Sequence, residues 1–240
     1  MLGTIFGVTL LLSCVSFFGV LFFYFREKSI ETFMLPITGF ASGVLLSVAF
    51  LYPLSAALPR IITPQMAFSV LLFGFTIFFV LEKIFYWHHF HEGLREIWPY
   101  TPLNLLGDAI HNLRLGLGLA AVFLLSWGVG AMTAVALFVH AIPQELSDFA
   151  LLLHGGLGKW RALGASFGCG LFFVVGGLIG VVLPAAAREY LALVLAGAMV
   201  YSGAVDLVPR REEARNRAVV RLGFFLFGII LMQMVSVYLS

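Results

Sequence analysis

Two short stretches hold nearly all the ionisable side chains that fall inside the apolar runs of this sequence. Asp108, His111, Asn112 and Arg114 fall within one, and His140, Gln144, Glu145 and Asp148 within the other. At about 100° per residue, each set occupies one side of a helix. The first includes Leu115 and the second encloses Ala141, opposite Leu137, Ile142, Leu146 and Phe149. Two facing polar stripes of this kind suit metal coordination. His111, His140 and Gln144 offer neutral nitrogen and oxygen donors, and Glu145 or Asp148 can add negative charge, a mixture that Zn²⁺ accepts readily. His140 and Gln144 are four apart, so their side chains lie one turn apart on the same face. Pro143 removes a backbone donor and frees a carbonyl near Val139 to line a polar cavity. Hydrolytic metal chemistry is disfavoured: an HExxH site needs Glu and a second His where this chain has Ala141 and Gln144, and no enzyme is expected.

The elements that must position these residues are membrane helices. Of 240 residues, 61% are apolar and 11% charged, and the mean hydropathy is +1.04, whereas soluble domains have about 25% charged residues. At about 20 apolar residues per crossing, eight runs emerge: 2–25, 34–57, 66–86, 101–126, 128–154, 162–184, 190–209 and 217–239. The breaks coincide with polar or turn-forming clusters. The expectation is an all-α integral membrane protein of eight transmembrane helices, with residues 1–240 forming a single transmembrane domain. The first run lacks a preceding base and a small-residue cleavage site, and is read as a retained span.

Eleven of the fourteen bases lie beside the odd-numbered breaks, from Arg26 and Lys28 to the group Arg210 to Arg221. Arg60 and Arg188 lie beside even-numbered ones, and Arg114 lies within a span. Since Lys and Arg are retained on the cytoplasmic side, both termini are expected outside the cytoplasm. A formal charge of +2 is too weak to suggest a nucleic-acid partner. Cys14 and Cys169 lie in apolar runs without CxxC spacing and are read as packing residues.

Ionisable groups inside a span cost roughly 3 kcal/mol each, so those of the fourth and fifth spans are expected to face a polar interior. Arg114 needs a partner there: Glu145 or Asp148 would serve, or else it snorkels to the outer surface or faces another helix. Asp206, near the end of the seventh span, stands alone and is read as a structural or gating hydrogen-bonding group. After the third span, His88, His89 and His91 have a spacing that can handle metal loosely, although beside Trp87 and Phe90 they also fit an interfacial aromatic belt.

These residues resemble the ZIP metal-transporter family along most of the chain. Gly107-Asp108-Ala109-Ile110-His111-Asn112 is similar to that family's GDAxHN motif, and His140 to Phe149 to its HEIPQELGDF motif. Ala41 to Val44, Leu81-Glu82-Lys83 and Asp206-Leu207-Val208-Pro209 add support. The resemblance implies eight helices with outside termini in a plasma or inner membrane, surrounded by lipid. It also implies a divalent ion, zinc first, passing between spans four and five, with room for a homodimer. It assigns the first metal site to His111, His140 and Gln144, and Asn112 to an adjacent second site. The chain departs from the pattern at Leu115 and Ala141, where the family has acids, at Tyr52 and Ser55-Ala56 in span two, and at Arg210. Transport towards the cytoplasm is therefore one expectation. A non-transporting relative that binds metal weakly or acts as a scaffold is the other.

Overall fold

The computed structural model describes residues 1–24, 27–61, 63–91, 100–207 and 215–239, and no strand occurs among them. Among the described residues, eight long helical units follow one another, with short helical turns between some of them. α1 (Leu2–Val20) is α-helical to Ser13 and continues as a 3-10 turn over Cys14–Val20. α2 (Glu27–Ala49) runs on through a π-turn at Phe50–Leu54. Then come α3 (Pro64–His91), α4 (Tyr100–Leu125), α5 (Trp127–His154), α6 (Lys159–Val182), α7 (Arg188–Val205) and α8 (Arg215–Leu239). Seven units are long and apolar enough to cross a bilayer; α7, which opens on Arg188 and Glu189, is the one that falls short. The chain is an all-α membrane protein.

Several helices outrun the apolar stretches that mark them. α2 begins seven residues before the apolar run at 34, and α3 continues past 86 as far as His91. Hydropathy marks the part of a helix inside hydrocarbon, whereas backbone hydrogen bonding continues into the interface through good helix formers such as Glu27 and Lys28. His88, His89 and His91 consequently fall on the helical end of α3 and not in a loop; their side chains lie outside the described residues. The α4–α5 link is also shorter than the Trp127-Gly128 break suggests, since Ser126 alone is non-helical. The π-turn of α2 has a local cause. Pro53 lacks an N–H, and the Ser55 hydroxyl donates to the carbonyls of Leu51 at 2.5 Å and Tyr52 at 3.1 Å.

With lipid around the bundle, helices associate through close van der Waals packing, and glycine lets backbones meet. Three pairs are joined in this way. Gly116 of α4 lies against the backbone of Phe173 in α6, and Gly176 of α6 returns the contact against Leu113. Gly74 of α3 faces Val194 of α7, and Gly197 of α7 faces Leu71. Gly39 and Gly43 of α2 meet Arg221 and Phe225 of α8, while Gly228 of α8 meets Phe40. The pairs join through α7, where Leu195 packs on Gly118 of α4 and Gly203 packs beside Ser42 of α2. α1 closes on α6, with the Ser13 hydroxyl donating to the Gly170 carbonyl at 2.6 Å. Apolar side chains such as Leu72 and Phe73 of α3 and Phe227 and Ile230 of α8 point outward, as lipid requires.

The α4–α6 crossing leaves no room for a side chain. Gly176→Val should force backbones apart and lower stability in detergent by about 1–3 kcal/mol or more. Gly168→Val, where a Cβ would meet nothing within 4 Å, is the control. Equal unfolding temperatures for the two variants would mean the crossing is looser than described.

Candidate functional site

The link between α4 and α5 brings the two polar stretches side by side. The Ser126 N–H donates to the Val122 carbonyl at 3.0 Å, and the Gly130 N–H donates to the Ser126 carbonyl at 3.0 Å. Phe123 lies where a Cβ on Gly130 would stand, so the turn closes as tightly as a glycine allows. α6 grips one flank of α4 at Gly116 and α7 another at Gly118. The polar residues of α4 must then point into the gaps that remain, and they divide into two groups.

The first group is a histidine pair. The rings of His111 and His140 lie 6.4 Å apart between centroids, inclined at 37°. His140 is buried, and its Nδ1 lies 3.4 Å from Oδ2 of Asp206, an ion-pair distance without hydrogen-bond alignment. His111 has its Nδ1 3.3 Å from Nη2 of Arg114, and its Nε2 is buried without a hydrogen-bond partner. Phe78 of α3 forms the floor, edge-on to His111 at 6.4 Å, with the Arg114 guanidinium 3.7 Å above its ring. Arg114 thus turns to the histidine on its own face, three residues away, and Glu145 finds its hydrogen bond elsewhere.

The second group is Asp108, Asn112, Glu145 and Asp148, which faces α6 and α1. Nδ2 of Asn112 donates to Oδ1 of Asp108 at 3.0 Å and to the Cys169 carbonyl at 3.3 Å. The Ser166 hydroxyl donates to Oε2 of Glu145 at 2.7 Å. The Cys169 thiol reaches the Leu105 carbonyl at 3.2 Å. Gln144 neighbours Asp148, one turn along α5, and so lies beside this group. Hydrogen bonds among α4, α5 and α6 use these polar groups as an interhelical lock. Among the described residues, no three His, Cys, Asp or Glu side chains gather where they could hold one ion. Leu115 is packed in the hydrophobic core with Leu119 and Phe123.

The comparisons with known proteins bear on the chain as a whole. The sequence profile of the family described as ZIP Zinc transporter matches residues 94–236, more than half of the chain. The chain belongs to the ZIP family. It is 33% identical over 178 residues to the zinc transporter ZIP13 of Pongo abelii, which takes in 70% of this chain and 52% of that protein. It is 35% identical over 152 residues to human ZIP13, taking in 58% of this chain and 41% of the relative. Against mouse ZIP4 the figures are 35% over 121 residues, 50% of this chain and 18% of the relative. The chain thus spans about half the length of the ZIP13 relative it matches over the most residues. The family is one of transporters, not enzymes.

Three partners of these groups carried no strong signal in the sequence. Asp206 stands in the sequence as a lone acid within a stretch that resembles the family, and its proximity to His140 depends on α7 packing against α3 and α4. Phe78 and Ser166 look like ordinary span residues, because apolar rings and small hydroxyls are common inside membrane helices.

Asn112 separates a structural role from a ligand role. Asn112→Leu removes the donor to Asp108 and Cys169, and each buried acceptor left unpaired costs about 1–3 kcal/mol. Its unfolding temperature without metal should fall below the parent's. An unchanged metal-free temperature, with only the zinc-induced increment lost, would make Asn112 a ligand and not a lock.

Proposed function

We propose that this protein carries a divalent metal ion, zinc in the first place, across a plasma or inner membrane towards the cytoplasm through the gap between α4 and α5. In this reading His111 and His140 are the transient ligands, Gln144 and water complete the shell, and eight crossings place both termini outside. A second copy of the chain is a natural partner in the membrane. The observation that carries the reading is the histidine pair: a half-buried and a buried imidazole lie together across a helix interface, each with a ring nitrogen that makes no hydrogen bond. An ion passing between the rings would give a nitrogen that lacks a hydrogen bond a partner.

The spacing of the pair fits an ion held briefly. With Zn–N bonds of about 2.1 Å, two imidazoles on one tetrahedral ion have ring centroids about 5.2 Å apart. The observed 6.4 Å is wider, so capture requires the rings to close by roughly an ångström, within reach of side-chain adjustment. Asp206 behind Nδ1 of His140 supplies the outer-shell carboxylate that orients a metal-binding imidazole and raises its basicity. The orientation of the chain follows from charge, since Lys and Arg concentrate beside the odd-numbered breaks. The relatives named zinc transporters support zinc over other divalent ions.

The second reading is a ZIP relative that binds metal weakly without moving it. Leu115, buried in the apolar core, and Ala141 favour it, because carboxylates at those positions would supply the second ion's ligands.

Uptake into liposomes by the purified protein separates the two. His140→Ala should insert and purify normally yet lose zinc uptake by at least about tenfold, since even outer-shell changes cost that much. Parental uptake by the variant would remove the site as drawn, and absence of uptake by the parent itself would favour the binding-only reading.

A further inference from the structure

The two histidines do not have equivalent surroundings. Arg114 meets Nδ1 of His111 at 3.3 Å, and Asp206 meets Nδ1 of His140 at 3.4 Å. A guanidinium has only donors and a carboxylate only acceptors. Nδ1 of His111 must therefore accept, which in a neutral imidazole places the proton on Nε2. Nδ1 of His140 faces a carboxylate oxygen, without hydrogen-bond alignment, and the negative charge there favours the proton on Nδ1, which leaves its Nε2 with a free lone pair. We propose that Arg114 and Asp206 hold the histidines in opposite tautomers, so that His140 is a ready ligand and His111 becomes one only when Arg114 lets go.

This rests on the histidine pair being the metal site. It adds a latch to that site, built from a residue at a position next to Leu115, where the family's acid is missing. Asp206, His140, His111 and Arg114 stand in series across α7, α5 and α4, with contacts of 3.4 Å and 3.3 Å at the two ends and 6.4 Å between the ring centroids in the middle. The guanidinium has a resting place on Phe78, which keeps it within reach of His111. An arriving dication repels Arg114 and needs the lone pair that only the other tautomer of His111 offers. Capture and release of the ion are thus coupled to one side-chain movement, and Arg114 and Asp206 act as positioning residues for the ligands.

The test reads the imidazole nitrogens directly. Nitrogen-15 NMR of histidine-labelled full-length protein in nanodiscs, free of metal and at about pH 8 to keep imidazoles neutral, distinguishes Nδ1–H from Nε2–H. His111→Ala and His140→Ala spectra assign the signals. The expected result is Nε2–H for His111 and Nδ1–H for His140, with Asp206→Leu removing the preference of His140 alone. Arg114→Met should release His111 from its Nε2–H form and tighten binding of Zn²⁺ about tenfold, the worth of one charge-assisted hydrogen bond. The same tautomer on both residues in the parent would overturn the inference without needing any variant to fold. Tighter zinc binding by Arg114→Met with unchanged tautomers would overturn it too, leaving charge repulsion as the cause. If the tautomers are as stated but His140→Ala still transports zinc, the tautomer assignment stands while the proposed transport site, and with it the latch on metal capture, fails.

Discussion

Backbone contact between α4 and α6 is the constraint from which the rest of the interior follows. Gly116 and Gly176 each sit on the other's helix, so neither helix can rotate or withdraw without a clash or a void. α7 takes a second flank of α4 at Gly118, and the one-residue link at Ser126 ties α5 alongside. With those directions taken, the polar residues of α4 have two openings. Asp108 and Asn112 turn to α6, and His111 and Arg114 turn towards α3 and α5. The site is a consequence of where glycine lets backbone approach backbone.

Each opening solves the cost of burying polarity in a different way. On the α6 side, Asn112, Ser166 and Cys169 satisfy two of the acids through hydrogen bonds that also bind helices together. On the other side satisfaction is incomplete: His111 Nε2 is left over and His140 meets Asp206 out of alignment. In a medium without water, incomplete satisfaction destabilises the empty state and favours any state in which an ion fills the gap. The lock and the gap are adjacent, so the rigid side can hold the helices while the other side changes occupant.

Much of this was legible before any coordinates. Apolar runs located every helix to within a few residues except at polar ends, where α2 and α3 continue into the interface beyond the hydropathy signal. The spacing of His111 and His140 on their helices was enough to expect two facing rings. The split of the polar set was not legible, because periodicity places residues on a side about half a turn wide and cannot say which neighbour each edge of it meets. That choice was made by Gly116, Gly118 and Gly176, whose role depends on the partner helix. For the same reason the sequence leaves Arg114 open between a carboxylate of α5 and another helix, and the structure places it beside His111 and over Phe78 of α3. Gln144 likewise shares a face with His140 but leans on Asp148.

X-ray absorption at the zinc edge, on zinc-loaded protein in lipid, addresses the central claim that an ion sits between His111 and His140. The account predicts a nitrogen and oxygen shell at about 2.0–2.1 Å with the multiple-scattering signature of two imidazoles. A shell of carboxylate oxygens without imidazole scattering would place the ion among Asp108, Glu145 and Asp148, and would contradict the histidine site.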